Sequence, residues 1–187
     1  MSPETAAAAL LETVGFDRAD GLPIDVDHLA EEHEDLVVEE LADLTVVHGA
    51  PAMGRDSTLS GLLLPAARRI YVNAVEAQRS HGRRRFTIAH ELGHWHLHRS
   101  AGDDAHARFC RSDEIGASGF AVQHAQRIER EANRFAAALL MPEQLVRAEA
   151  PKLKLNVALL AERFGVSGPA MQVRLESLNL LPDYMKR

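Results

Sequence analysis

The chain has one cysteine in 187 residues, Cys110, so it cannot close an internal disulfide, and it fits a reducing compartment such as the cytoplasm. It lacks any apolar run approaching the roughly 18 residues that span a bilayer, so no membrane association is expected. It also lacks a basic start: Met1 to Leu11 carries Glu4 and no lysine or arginine, which argues against a signal peptide. Positive charge is in short supply, with 21 Lys and Arg against 27 Asp and Glu, and the net charge of −6 argues against a broad nucleic-acid-binding surface. What remains is ordinary globular composition, 46% hydrophobic and 26% charged, enough for one medium domain or one domain with a small appendage.

Against that background one stretch carries chemistry: Arg85-Phe-Thr-Ile-Ala-His90-Glu91-Leu-Gly-His94-Trp-His96-Leu-His98. Its centre is H-E-x-x-H. On an α-helix, positions i and i+4 share a face, so the imidazoles of His90 and His94 can reach one metal ion. In this pattern the metal is usually zinc, and the glutamate beside the first ligand, here Glu91, is a general base. With ten histidines in the chain, a chance match is expected roughly 0.04 times, so a third ligand is needed to make a site. The metzincin extension would need Gly at position 97 and His at position 100; Leu97 and Ser100 stand there and exclude it. A glutamate from a second helix is left.

Upstream, residues 5–14 read as a helix ended by Gly15, and Asp25 is a plausible N-cap for a helix over 26–34. Residues 36–41 fit either a strand or a helix. Leu44–His48 is β-branched and bounded by Gly49 and Pro51, which predicts a strand. Leu59–Leu64 and Arg69–Asn73 are two further strand candidates, giving a small sheet of about three strands before the motif helix. An edge strand beside a metal cleft could take up an extended peptide. Arg79, Arg83, Arg84 and Arg85 form a basic cluster at the helix start, read chiefly as a solvated helix start or an anchor to the acidic N-terminal part, with substrate or nucleic-acid contact the minor alternative. Residues 99–124 are polar and too long for an ordinary connection. They hold His106, Cys110 and His124, none of which the spacing selects as a fourth ligand.

Residues 128–141 predict a second strong helix stopped before Pro142, with Ala132, Phe135, Ala136, Leu139 and Leu140 as its core stripe. Glu129 and Asn133 share a face of it, so Glu129 could bind zinc while Asn133 hydrogen-bonds a ligand imidazole; Glu131 is the alternative ligand. After Pro151 two helices are expected, over 156–164 and 168–178, joined through Gly165 and capped by Ser167. This hairpin resembles a helix-turn-helix, and the acidic balance of the chain favours a docking or capping role over DNA contact.

Taken together, Arg85–His94 with Leu97-His98, and Glu129-x-x-Ala132-Asn133-x-Phe135-Ala136-x-x-Leu139-Leu-Met-Pro142, resemble the ImmA/IrrE family of zinc metallopeptidases. The Leu59-Ser60-Gly61 and Ile70–Asn73 strands and the Phe164-x-Val166-Ser167 hairpin match the same layout. The resemblance implies an α+β fold: a zincin-like metallopeptidase domain over residues 1–150, its sheet packed on the motif helix and a glutamate-bearing helix, then a small C-terminal helical hairpin over 151–187. It implies Zn2+ held by His90, His94 and Glu129. It also implies a regulatory protease that cuts a helix-turn-helix repressor or an antitoxin in trans, in phage, mobile-element or stress-response circuits. Glu91 is the expected general base. Asn133 and His98 are expected behind the ligands, and His98, His106, His124 and Tyr71 are the candidates for stabilising an oxyanion. The competing readings are a non-proteolytic zinc-binding transcriptional regulator and the toxin half of a toxin–antitoxin pair.

Overall fold

The computed structural model describes residues 1–16, 21–48, 50, 59–99, 108–111 and 120–181, the side chains at 108–111 and 120–122 excepted. Helix α1 spans Pro3–Thr13, with the Ser2 hydroxyl accepting from Thr5 N and Gly15 in the left-handed region (φ +69°) behind its end. Asp25 caps a short helix α2, Val26–His28, which continues as a wider turn over Leu29–His33. Strand β1 is Val37–Leu41, which resolves the ambiguity at residues 36–41. Leu44–Val46 forms a 3-10 turn, not the expected strand. The reason is local: the Asp43 carboxylate accepts from both the backbone and the hydroxyl of Thr45 (2.9 and 2.6 Å) and ties the chain into a turn despite its β-branched residues.

Strands β2 (Leu59–Leu64) and β3 (Arg69–Asn73) follow, then the short helix α3, Ala74–Arg79. The long helix α4, His81–His98, carries the motif. A fourth strand, β4, Arg108–Arg111, comes from the segment read as a loop and joins the other three in one small sheet. Their order is β1-β3-β2-β4, with β1 parallel to β3 and the other two pairings antiparallel, so β1 and β4 are the edges. Helix α5, Phe120–Leu140, runs well beyond its predicted start, and α6, Glu143–Lys152, was not foreseen. The expected hairpin is present as α7 (Val157–Phe164, capped by Asn156) and α8 (Gly168–Ser177, capped by Ser167).

The main core lies between α4, α5 and one sheet face, with Ile88, Leu92, Phe135 and Leu139 fully buried. Phe164, Met171 and Leu175 of the hairpin join the same cluster. Leu44, Leu59 and Leu62 form a separate, smaller cluster, with Tyr71 packed against it. Helices α4 and α5 cross closely because Gly93 faces Ala132: a Cβ at 93 would lie 3.0 Å from the Ala132 Cα and carbonyl oxygen.

The basic cluster at the start of α4 is mostly spent on holding the fold. Arg83 pairs with Glu76, while Arg84 binds Asp27 with both terminal nitrogens (2.7 and 2.8 Å) and reaches Glu40 (2.6 Å). Arg85 is buried and donates to the carbonyls of Ile24 (2.7 Å) and Gly165 (3.1 Å). Anchorage to the acidic N-terminal part is thus real for Arg84.

Candidate metal centre

Two helices build the site. On α4, the i, i+4 spacing turns His90 and His94 to one side, both buried. On α5, the alanine-rich stripe lets the helix approach until Glu129 meets them. The Glu129 carboxylate bridges the two rings, Oε2 standing 3.2 Å from His90 Nε2 and Oε1 3.2 Å from His94 Nε2. The two Nε2 atoms are 3.0 Å apart. Donor atoms about 2.0–2.1 Å from a tetrahedral zinc ion lie roughly 3.3 Å from one another, so this spacing suits a small divalent cation. His90, His94 and Glu129 form a group able to hold a metal ion, and two imidazoles with a carboxylate are a donor set that zinc accepts.

The surroundings prepare the ligands. The Asn133 Oδ1 accepts from His90 Nδ1 at 2.9 Å, which leaves the Nε2 lone pair directed at the shared point. Burial pushes the Glu129 carboxyl up, but in the metal-free chain the imidazoles of His90 and His94, donating to it when protonated, outweigh burial and hold the group down at about 2. Glu91 goes the other way. It is wholly buried, with no hydrogen-bond partner for either oxygen among the described residues. Burial pushes its carboxyl up to about 8; the nearby His90 opposes this and the Glu129 charge adds to it.

Other candidates sit apart. Glu131, the alternative ligand, lies 3.7 Å from His98 Nε2 and 3.8 Å from Arg127. His98 packs next to His94, ring centroids 5.6 Å apart. His96 points away from the group, towards Glu34 and stacked on Phe135. Tyr71, in the smaller cluster, belongs to the sheet face turned away from α4. His124 is exposed on α5. His106 and the Cys110 side chain lie outside the described residues.

A cleft of about 840 Å³ opens beside Glu129 and Asn133. Ser60, Arg83, Phe86 and Arg130 line it, together with Val166 and Ser167 of the hairpin turn. Reading along the chain did not reveal that the hairpin turn borders this space. The nearest signal was Gly82, where a Cβ would stand 3.3 Å from the Ser167 nitrogen.

The sequence model of the peptidase family M78, described as the IrrE N-terminal-like domain, matches residues 46–176, well over half of the chain. The chain belongs to this family. The ImmA/IrrE-like resemblance of the two motif helices is thereby accounted for. Among solved structures, a Mycobacterium tuberculosis transcriptional regulator shares the fold of this M78 family member, with a TM-score of 0.61 and 22% identity over 99% of this chain and 49% of the other. The chain thus spans about half the length of that protein. No curated protein gives a significant match. None of the described helices is long and apolar enough to cross a membrane.

Proposed function

We propose that this M78 family member is a zinc-dependent endopeptidase of regulatory type, cleaving a helix-turn-helix regulator or an antitoxin in trans. The observation that carries this reading is the convergence of His90, His94 and Glu129 within 3.2 Å, with a buried carboxylate beside them and a cleft at their edge. When bound, zinc supplies Lewis acidity, making a water nucleophilic near neutral pH and polarising a scissile carbonyl. Every other part falls to the chain. His90 and His94 offer neutral Nε2 atoms, and Asn133 fixes the tautomer and angle of the first. Glu91 takes the proton of the attacking water and passes it to the leaving amine. Beside a bound dication the buried carboxyl is drawn back towards the ionised form that a base requires, and burial favours the protonated form that follows. The cleft seats the peptide, and the turn between α7 and α8 borders it, which supports a substrate-side role for the hairpin over DNA contact. The likeness to a chain titled a transcriptional regulator supports a regulatory setting.

The test compares wild type and Glu91→Gln for zinc content and for cleavage of purified helix-turn-helix regulator and antitoxin proteins added in trans. Glu91→Gln retains its zinc and loses roughly 10²–10⁴-fold in cleavage rate. Equal rates would remove Glu91 from the mechanism.

A further inference from the structure

Glycine in the interior of a strand weakens it and marks a place where something approaches the backbone closely. Gly61 is such a residue. A Cβ built on it would lie 2.5 Å from Glu91 Oε1 and 2.5 Å from Thr87 Cγ2, with Glu91 Cδ at 3.3 Å. Its backbone does not require glycine, because its φ is not in the left-handed region; the demand is for space alone.

The pairing of β2 explains how a glycine comes to face the site. Opposite β4, Leu59 pairs with Arg111 and Gly61 with Cys110, so the register slips by one residue at Ser60. In an unbroken strand, Leu59 and Gly61 would share a face. Here Leu59 and Leu62 both belong to the smaller cluster, while Leu63 lies in the main core with α4. Gly61 pairs with Val72 of β3, another main-core residue. The bulge therefore turns Gly61 towards α4, and the neighbouring Ser60, itself buried, lines the cleft. Bulges next to active sites commonly re-aim residues in this way.

Glu91 needs such a wall. Neither of its oxygens has a hydrogen-bond partner among the described residues, so its position rests on packing. We propose that Gly61 is a positioning residue for Glu91: the bare backbone of β2 limits the swing of the carboxylate and holds it beside His90. The inference rests on the peptidase reading for its purpose, and on the contact itself for its geometry. Any side chain at 61 displaces the carboxylate while leaving the three ligand atoms untouched.

The experiment uses the full chain in a Thr87→Ser background, which removes the second clash. In the metal-free protein, Gly61→Ala lowers Tm by about 4–8 °C when Glu91 is present, and by less than half of that when Glu91→Ala is also made. In the zinc-loaded protein, Gly61→Ala lowers kcat by roughly 10–100-fold at near-unchanged KM and zinc content, as a misplaced catalytic group does. An equal Tm cost with and without the Glu91 carboxylate overturns the inference. So does a wild-type kcat in Gly61→Ala. A wild-type protein that binds zinc but cleaves nothing sinks the peptidase reading instead, and the metal-free unfolding cycle still tests the contact by itself.

Discussion

Helix α4 carries the i, i+4 histidine spacing twice, as His90/His94 and again as His94/His98, and the two turns differ in what meets them. The first pair is buried and bridged by the single carboxylate of Glu129. One turn later, His98 faces Glu131, which also approaches Arg127 at 3.8 Å, while His96 turns to Glu34. Spacing alone therefore does not make a metal group. Burial and one shared acceptor do, because several donor atoms crowded onto one point in a dry site favour a cation there, whereas a carboxylate per histidine does not.

The sharpest way to break this contrast is to remove the two glutamates separately. Glu129→Ala lowers zinc affinity by more than about 100-fold, beyond what loss of a supporting partner costs, while Glu131→Ala retains zinc; metal content after dialysis reads both. The reverse result would move the site by one helical turn. Next in size is Asn133→Ala, expected to weaken zinc binding by about 10–100-fold through loss of the hydrogen bond to His90 Nδ1, measured by competition with a chelator. A separate effect concerns the metal-free protein. The Glu91 carboxyl has an ordinary value of 4.5 and is pushed up to about 8 in the folded chain. Between those two values the folded state keeps a proton that the unfolded state has released, so this group makes stability fall as pH rises. Glu91→Gln removes that slope, gaining on wild type from pH 4.5 to 8, and Glu131→Gln leaves it in place. Urea unfolding at a series of pH values decides it; parallel profiles for wild type and Glu91→Gln would show that the carboxyl is not held neutral by burial.

The contrast also marks how much could be seen beforehand. His90, His94, Glu129 and Asn133 were legible because each pair lies on one helix, where periodicity fixes which residues share a face. The core stripe of α5 followed from the same rule, with Ala132, Phe135, Ala136, Leu139 and Leu140 all buried. The pairing of Glu129 rather than Glu131 with the histidines needed two helices at once and stayed open until α5 was placed. Leu44–Val46 misled because β-branching speaks for a strand while a single Asp43 side chain decides for a turn. Strand β4 is polar in sequence, and its place in the sheet comes from β2. Gly61 is far from Glu91 along the chain, and only the bulge in β2 brings it there. Local order can be read from the chain; encounters between distant segments cannot.

Arg85 gives those distant encounters a practical meaning. One buried guanidinium on the motif helix holds carbonyls from before the sheet, at Ile24, and from the hairpin turn, at Gly165. Gly165 has φ +64° and its missing Cβ would stand 3.0 Å from Arg85 Nε. A cut made ahead of α7 would strip a buried cation of one of its two acceptors among the described residues, at the opening turns of the helix that bears His90. Divisibility is thus set by this residue: exchange or truncation of the hairpin is not an operation on an appendage, because it is felt inside the helix that carries the chemistry.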